Sequence, residues 1–484
     1  MDEIKKIKRD DELTIEIASS AFEGKCIARH DNMVVFVEGA VPGDVATVKI
    51  LKTKKNFAES KVINVVTPSK YRVQPRCKYF GACGGCKWQH VDYPAQLEFK
   101  QQQVKDAFEH LGGFSDFEML PIIGSENIFF YRGKMEYTFA DKQWLTTPPE
   151  KSSTNVEEGT DTISLVPSPV YLGLHVPARF DKVLDLEECF LQSEVSNRIL
   201  NFTRQFSREK QLSIYDSRSE SGYLRFLVIR ESKHTKEVMV NLVTFEHKNE
   251  LMQEFTKAIT SSIPEVTTIV NTINYKKAQI AFGQEEHVYL GDGVIHEQLG
   301  AHHFDISASS FFQTNVLQAE RLYQVAKDFA DFKSTDVVYD LYCGTGSISL
   351  FISDAVKSVI GIESVESAIE DAKRNAERNN ISNCTFLLGD LKDRLTKDTE
   401  WMSSHPKPDV MVIDPPRNGM HPKVVEEIMN IAPERIVYVS CNPATQARDV
   451  KTLCESKYRL VKMQPVDMFP HTYHIENVVL LHRV

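Results

Sequence analysis

The chain has 484 residues, of which 42% are hydrophobic and 26% charged, so it is long enough for about three domains and apolar enough to bury their cores. This composition excludes a disordered or fibrous protein. The sequence has no run that approaches the roughly 20 apolar residues of a membrane span and no secretory signal, so we expect a cytosolic protein. The formal net charge of -10, taken as an average, argues against a nucleic-acid partner, because phosphate binding needs positive charge.

Residues 12–66 contain short runs in which apolar and polar residues alternate, separated by Gly, Pro and Asn turns. The four runs are LTIEIASS, MVVFVEG, DVATVKIL and FAESKVINVV. Short strands at this spacing predict a small β-barrel.

The charge is unevenly spread. Between Lys49 and Lys87 there are ten basic residues and one acid, Glu59, and four aromatic residues are interleaved with them. Basic side chains for phosphates and aromatic rings for stacking predict a groove for single-stranded nucleic acid, although a solvated barrel face carries the same charges. The interleaved aromatic residues are Phe57, Tyr71, Tyr79 and Phe80.

A middle region runs from about 71 to 300. It begins with three closely spaced cysteines, and it contains strand-like runs such as LRFLVIRES and EVMVNLVTF. Nine cysteines in so long a chain are too few for a disulfide scaffold. With a more distant partner, the close group can hold zinc or an iron–sulfur cluster, and spacing alone leaves both open. The polar stretch 146–162 predicts an exposed loop.

From about residue 334, apolar strands alternate with helical segments, which predicts a parallel sheet covered on both faces. The last two strands leave no room for a helix between them, so we expect an antiparallel hairpin. Seven strands with this ending distinguish the methyltransferase variant of the fold from the dinucleotide-binding one. The predicted strands are 337–341, 358–362, 384–388, 409–413, 436–440, 459–463 and 477–481.

The first of these strands runs into a glycine-containing turn, Asp340–Ser347, of the kind that lets backbone approach a ligand. Glu363 ends the next strand, 19 residues after Gly344, where it can accept hydrogen bonds from a ribose. A pyrophosphate loop needs a third glycine where this chain has Ser349, which favours S-adenosylmethionine over a nicotinamide cofactor. Asp390, after the third strand, either faces the adenine or caps a helix.

The fourth and fifth strands end in the motifs Asp414–Arg417 and Ser440–Pro443. Ligands bind at the carboxyl ends of strands in such sheets, so both motifs are expected beside the cofactor loop. The strand delivers Cys441 to this edge, where its thiolate is the natural nucleophile.

These motifs identify a family. The chain resembles the RNA uridine C5-methyltransferases over nearly its whole length, and most closely the cluster-containing members that modify 23S ribosomal RNA. GAVPGD and the basic strands after it are similar to the TRAM barrel, an RNA-binding module. The matching motifs occur in family order: Cys77, Cys83, Cys86 and the distant Cys189, then Phe311–Asn315, DLYCGTG, DPPR, SCNP and His474–Glu476.

The resemblance implies a multidomain α/β protein: a TRAM barrel of OB-like type over 1–70, a central α+β iron–sulfur domain over 71–300, and a Rossmann-like methyltransferase domain over 301–484. It further implies that Cys77, Cys83, Cys86 and Cys189 ligate a [4Fe-4S] cluster. Gln313, Tyr342 and Glu363 correspond to donor-binding positions, and Ser347 departs from the Asn often found there. We expect a monomer.

The resemblance also assigns the chemistry. Cys441 would attack carbon 6 of uracil, Glu476 would remove the proton from carbon 5, and Asp414 would hold the base or the donor. Cytosine-modifying relatives have a cysteine where this chain has Arg417, which favours uracil. The target uridine, in 23S ribosomal RNA, must be single-stranded or flipped out.

Three alternatives stay open. The first is methylation of the TΨC-loop uridine of transfer RNA, whose enzymes typically lack the barrel and the cluster. The second is a non-catalytic RNA-binding or ribosome-assembly factor, against which the intact Cys441 and Glu476 argue. The third is an iron–sulfur redox sensor, which would need no donor pocket.

Overall fold

A computed structural model describes residues 7–142, 144, 169–177, 179–397 and 400–484. The loop predicted over 146–162 lies outside these residues. Within the described ranges, every helix is too short or too polar to cross a membrane.

The N-terminal strands close into a barrel in the order β1-β2-β3-β5-β4, as the alternating runs predict. Alternation directs one side chain in two inward, so that Ile17, Val35 and Val48 are no more than 1% exposed. One strand, Cys26–His30, was not predicted because it is short and lacks clear alternation. The strands are β1 (Glu12–Ser20), β2 (Cys26–His30), β3 (Met33–Glu38), β4 (Val45–Thr53) and β5 (Phe57–Thr67).

The middle region forms helix α1 (Tyr93–Asp106), a π-helical turn (Ala107–Gly112), the short strand β6 (Glu118–Met119) and a seven-stranded sheet. The sheet has the order β13-β12-β11-β10-β7-β8-β9, and two helices share its core. Its strands are β7 (Lys134–Ala140), β8 (Tyr171–Val176), β9 (Arg179–Asp185), β10 (Leu224–Glu231), β11 (Val238–Thr244), β12 (Thr268–Ile273) and β13 (Glu285–Leu290). The helices are α2 (Glu194–Glu209) and α3 (Asn249–Ser262).

A hairpin, β14 (Val294–Leu299) and β15 (His302–Ser307), precedes the C-terminal sheet. The seven predicted strands occur there as β16 (Val337–Leu341), β17 (Ser358–Glu363), β18 (Cys384–Leu388), β19 (Val410–Ile413), β20 (Arg435–Ser440), β21 (Tyr458–Val466) and β22 (Glu476–Arg483). Their order is β18-β17-β16-β19-β20-β22-β21, with the last two antiparallel to each other. The helices are α4 (Val316–Ala330), α5 (Ser347–Ile352), α6 (Glu366–Arg378), α7 (Leu391–Thr396), α8 (Glu400–Ser404), α9 (Pro422–Ile431) and α10 (Pro443–Cys454).

Parts of the middle region pack on the C-terminal sheet. β6 adds an eighth strand to the predicted seven by pairing in parallel with β21. Val104 and Phe108, from α1 and its π-helical turn, lie in the core of that sheet, and the hairpin β14–β15 contributes Ile295 and Phe304. The core of the C-terminal sheet is therefore completed by chain that precedes it, because both segments have apolar faces to bury.

Candidate active site

The turn after β16 is built for close approach to a ligand. Its backbone is left-handed at Tyr342, Gly344 and Gly346, with φ angles of 67°, 52° and 75°. A Cβ at Gly346 would also lie 2.9 Å from the Phe386 ring, so glycine is required there. Tyr342 adopts this conformation without being glycine, a strain that proteins concentrate at functional sites.

The structure places three of the predicted donor-binding residues around one cavity of about 460 Å³: Tyr342, Glu363 and Asp390. One oxygen of Glu363 accepts a hydrogen bond from the Gly344 amide at 3.2 Å, which fixes the carboxylate beside the glycine turn. Asp390 caps α7 by accepting from the Lys392 amide at 2.9 Å. The two expected roles of Asp390, cap and pocket residue, are thus combined at one side chain.

The other two predicted donor-binding residues, Gln313 and Asp414, line a second cavity of about 340 Å³ that Tyr342 also borders. Ser347, the departure from the family pattern, lies here with its hydroxyl 2.9 Å from the Tyr323 hydroxyl. All five residues therefore border two neighbouring cavities that share one side chain. This arrangement suits an elongated ligand with a polar and an aromatic end.

Two carboxyl groups beside this site hold protons more tightly than usual. Burial raises the pKa of Asp340 to about 7, and burial with the nearby Asp340 raises the pKa of Asp414 to about 7. Ser349 donates to Asp340 at 2.5 Å, so the position without the third glycine supplies a hydroxyl to the buried carboxyl. Both carboxyls change charge near neutral pH.

Cys441 lies at the end of β20, as predicted, and a network of hydrogen bonds holds it beside Arg417. The backbone oxygen of Arg417 accepts from the Asn442 side chain at 2.9 Å and from the Thr445 hydroxyl at 3.2 Å. Burial, and then the nearby Glu476, raise the pKa of the Cys441 thiol to about 11, while the Arg417 guanidinium lowers it. Arg417 is thus the nearby cation that favours the thiolate.

Glu476 begins β22, opposite Val466 on β21, and is 8% exposed. Burial and the neighbouring Asp414 raise its pKa well above the usual range, and Arg417 opposes them. His474 Nδ1 lies 3.4 Å from Arg417 Nη2, and burial with that cation lowers the pKa of His474 to about 4. Cys441, Glu476 and Asp414 are therefore brought together around Arg417, with a neutral imidazole alongside.

The segment between β21 and β22, residues 467–475, is held from α1 by contacts that the sequence did not predict. Lys100 Nζ lies 2.6 Å from Asp467 Oδ1, and both side chains have no solvent exposure. Gln96 accepts a hydrogen bond from the His471 amide at 2.9 Å. Gln96 and Lys100 lie four residues apart, on the helix face that continues with the buried Val104. Two polar residues on this otherwise apolar face were the feature of the sequence that could have indicated these contacts.

The same segment is also held by the residues that follow the cysteine group. The amides of Lys87 and Trp88 both donate to the His471 carbonyl at 2.9 Å. Since these residues directly follow Cys86, the cysteine-bearing chain supports the turn that leads to Glu476.

The structure brings the four predicted cysteines together around one small cavity, lined otherwise by leucines, aromatic residues, Gly85 and the polar Gln89 and Glu188. Burial raises the pKa of the Cys83 and Cys86 thiols to about 12, with further contributions from the other cysteines. Each sulfur of this pair already accepts a hydrogen bond, from the Gly85 amide at 3.4 Å and from the Gln89 side chain at 3.3 Å. Four thiols in this arrangement are suited to bind a metal ion or cluster as thiolates. The hydrogen bonds donated to two of the sulfurs would stabilise that charged form.

The spacing of the sulfurs bears on which group fits. Among the described residues, no three cysteine sulfurs lie within 4.8 Å of one another. A single zinc ion with Zn–S bonds of about 2.3 Å would draw four sulfurs to about 3.8 Å apart. As placed, the sulfurs therefore lie farther apart than the four ligands of a single zinc ion would.

The four aromatic residues of the basic segment each contact a neighbouring ring or the core, and each keeps part of its surface exposed. Phe57, Tyr71 and Phe80 lie against Phe36, Phe99 and His90, at ring-centroid distances of 5.7, 5.6 and 4.9 Å. Tyr79 packs against the central core, and its hydroxyl accepts from the Glu187 amide. Several of the basic residues are paired as well, since Arg72 bonds Asp44 at 2.7 Å and Lys78 bonds Glu187 at 2.6 Å. The stacking role of these four rings, which are partly exposed, stays a prediction.

Comparison with known proteins was made over the whole chain. The family model described as tRNA (uracil-5-)-methyltransferase matches residues 226–484, and the TRAM domain model matches residues 8–63. A relative described as an uncharacterized RNA methyltransferase, from Porphyromonas gingivalis, is 45% identical over 97% of this chain and 99% of its own. Another, from Bacteroides thetaiotaomicron, is 43% identical over 95% of this chain and 99% of its own.

Among solved structures, the chain is similar to the Pyrococcus abyssi tRNA (uracil-54, C5)-methyltransferase in complex with S-adenosyl-L-homocysteine. The TM-score is 0.71 at 27% identity, and the match covers 97% of this chain and 100% of that one. The similarity thus extends through the barrel, the middle region and the C-terminal sheet.

Proposed function

Because the chain belongs to the tRNA (uracil-5-)-methyltransferase family and carries a TRAM domain, we propose that it methylates carbon 5 of a uridine in 23S ribosomal RNA, with S-adenosylmethionine as donor. The observation that carries this proposal is the meeting of Cys441, Glu476 and Asp414 around Arg417, beside the donor cavities. A binding factor or a redox sensor would have no use for a buried thiol, a buried carboxyl and a donor pocket at one sheet edge.

Transfer RNA is the second candidate substrate, and a specific observation favours it. The Pyrococcus abyssi enzyme named for a tRNA uracil matches 97% of this chain, so neither the barrel nor the middle region excludes a tRNA substrate. The cysteine set, which the resemblance associates with enzymes acting on 23S ribosomal RNA, supports the first candidate. Mass spectrometry of 5-methyluridine in ribosomal and transfer RNA from a deletion strain separates the two: the class that loses the modification is the substrate.

The proposed reaction begins at Cys441. Carbon 5 of uracil is too weak a nucleophile on its own, and a bond from the Cys441 sulfur to carbon 6 converts the ring to an enolate. When bound, S-adenosylmethionine would supply the methyl group that carbon 5 takes from its sulfonium centre, leaving S-adenosylhomocysteine. Glu476 then takes the proton from carbon 5, the carbon–sulfur bond breaks, and the thiolate returns.

Arg417 has two functions in this proposal. Its guanidinium lowers the pKa of the Cys441 thiol and opposes the rise in the pKa of Glu476. It therefore favours the anionic forms of both the nucleophile and the base, in a site where burial favours the neutral ones. The uridine must leave any helix to reach this site, because the Cys441 thiol is only partly exposed and a base within a duplex could not reach it.

We assign donor binding to Gln313, Tyr342, Glu363, Asp390 and Asp414. Glu363 and Asp390 border the larger cavity, where carboxylates can accept from ribose hydroxyls and the adenine. Asp414 borders the smaller one, next to the reaction centre, where a carboxylate attracts a sulfonium. Equilibrium dialysis with radiolabelled S-adenosylmethionine tests this: Glu363→Gln should weaken binding by tenfold or more, and an unchanged affinity would contradict the assignment.

We propose that Cys77, Cys83, Cys86 and Cys189 hold a [4Fe-4S] cluster. The meeting of these four thiols at one cavity, with Cys189 buried, supports it. A role in holding the fold together, by supporting the chain around Lys87 and Trp88, suits a reaction that transfers no electrons. Anaerobically purified protein should absorb near 400 nm; protein without that absorbance but with stoichiometric zinc would refute the cluster.

The domain division we propose follows the ranges 1–70, 71–300 and 301–484, for RNA binding, positioning and methyl transfer. The hairpin β14–β15 spans the second boundary, and its core contacts assign it to the methyltransferase part.

The experiment that tests the function is trapping with RNA that contains 5-fluorouridine. Fluorine replaces the proton that Glu476 would remove, so a covalent protein–RNA adduct should persist on a denaturing gel. Cys441→Ala should abolish the adduct, whereas the control Cys454→Ala, on α10 away from the site, should form it. An adduct of wild-type strength with Cys441→Ala would refute the assigned nucleophile. With ordinary RNA, Glu476→Gln should accumulate the methylated adduct.

A further inference from the structure

Three aromatic side chains connect the barrel to the reaction centre. Phe22 lies in the short 3₁₀ turn Phe22–Gly24 between β1 and β2, with its ring centroid 6.3 Å from that of Tyr473. The Tyr473 and His474 centroids are 4.2 Å apart, and His474 Nδ1 lies 3.4 Å from Arg417 at the thiol. We call Phe22, Tyr473 and His474 the ring row.

The ring row is open to solvent at its barrel end. Phe22 is 44% exposed, and both Tyr473 and His474 are partly exposed. The barrel turn packs directly on Tyr473, since a Cβ at Gly24 would lie 3.2 Å from its ring. The row is thus a continuous surface across the barrel and the catalytic domain.

Cations accompany the row along its length. Lys25 follows the turn that carries Phe22 and lies 4.0 Å from Glu59. The Lys87 stem lies against the same turn, with its amine 3.7 Å from Glu38. Arg417 is exposed at the other end. His474, with its pKa lowered to about 4, is neutral and adds a stacking face without adding charge. Exposed rings interleaved with cations are the surface that unpaired nucleotides bind, with bases on the rings and phosphates near the cations.

We propose that the ring row binds the unpaired nucleotides next to the target uridine, with Tyr473 as the main stacking platform; the inference rests on the proposed function. The row ends at Arg417 and the thiol, so a base seated on Tyr473 belongs to a nucleotide immediately flanking the uridine at Cys441. Phe22 extends the surface for the next base. The barrel would thereby contribute an aromatic contact to the RNA, at a place other than the basic segment.

The test is a binding measurement by fluorescence anisotropy, without S-adenosylmethionine, on the full chain. The probe is a short labelled single-stranded RNA with one uridine between adenosines, and a second probe has abasic nucleotides on both sides of the uridine. Loss of one stacked base costs about 1–3 kcal/mol, so Tyr473→Ala should weaken binding of the first probe by about 5-fold to 140-fold. Tyr473→Phe, which keeps the ring, should bind as wild type.

The abasic probe separates stacking from a structural effect. If Tyr473 stacks on a flanking base, Tyr473→Ala and wild type should bind the abasic probe equally. Equal losses on both probes would mean that the substitution disturbs the fold, and would overturn the proposal. So would an unchanged affinity of Tyr473→Ala for the first probe.

The control is Tyr275→Ala, which removes an aromatic side chain that is 53% exposed and lies outside the row. It should leave the affinity for both probes unchanged, and a loss equal to that of Tyr473→Ala would also overturn the proposal. Since binding requires no methyl transfer, failure here is distinct from failure of the 5-fluorouridine trap.

Discussion

Replacing Lys100 by Met should lower the free energy of unfolding by about 3–5 kcal/mol, the usual cost of removing one partner from a buried ion pair. Lys100 and Asp467 are both fully buried, with their charged atoms 2.6 Å apart, and Lys100 also donates to the Phe469 carbonyl at 3.1 Å. The substitution would leave the Asp467 carboxylate without its cation in a site closed to water. The measurement is urea denaturation, with hydrogen exchange over residues 467–475 as the local readout.

Two further variants make this prediction refutable. In Lys100→Met/Asp467→Asn the unpaired charge is removed, so at least half of the lost stability should return. Lys105→Met is the matched control on the same helix, because Lys105 forms a solvent-exposed pair with Glu109 at 3.7 Å and should cost about 0–1 kcal/mol. If Lys100→Met costs no more than this control, or if the double variant is as unstable as the single one, the reasoning about the buried pair is wrong.

The remaining predictions concern the active site. Arg417→Gln removes the cation that lowers the pKa of the nucleophilic thiol, so a smaller fraction is thiolate at any pH below that pKa. The pH–rate profile of methyl transfer should therefore shift to higher pH, and an unshifted profile would contradict the role of Arg417. Asp414, with a pKa of about 7, loses its proton and becomes negatively charged as the pH rises from 6 to 8. Binding of the cationic S-adenosylmethionine should accordingly strengthen with pH relative to the neutral S-adenosylhomocysteine, as calorimetry can show, and Asp414→Asn should remove the difference. Gly346→Ala should lower the free energy of unfolding, measured by heat or urea, by about 2–5 kcal/mol. The loss is expected because the backbone is left-handed there and the new Cβ would lie only 2.9 Å from the Phe386 ring. The control is Gly113→Ala, where the backbone is also left-handed but the added Cβ meets open space. It should lose only the part of the stability that comes from the left-handed backbone.

Much of the fold followed from local patterns. The alternation in β1 and the continuous apolar run of β16 are properties of the strands themselves, because burial on one or both faces dictates which residues a strand can use. Parallel strands all end at the same edge of their sheet. The glycine turn and the two motifs that follow strands are therefore expected on one edge. These patterns, together with the family resemblance, predict Cys441, Glu476 and the donor-binding residues, and the structure brings these side chains to one edge of the sheet.

The surface expected to bind RNA shows the limit of such reasoning. A run of basic and aromatic residues in the sequence does not reveal which rings will be covered. Tyr71 and Phe80 pack against Phe99 on α1 and against His90, just after the segment, and both stay partly exposed. Phe22 and Tyr473 are 451 positions apart and become neighbours only when the barrel packs against the hairpin of β21 and β22.

By itself, then, the sequence determined the strands, their order along the chain and the residue types that the chemistry needs, because these depend on interactions between near neighbours. The tertiary structure decided which distant groups share an environment. The positions of Arg417 beside the thiol, of Asp414 near Glu476, and of Lys100 against residues 467–475 arise from packing between separate elements. Their charges and pKa values depend on burial and on distances of a few ångströms, which exist only after the chain has folded.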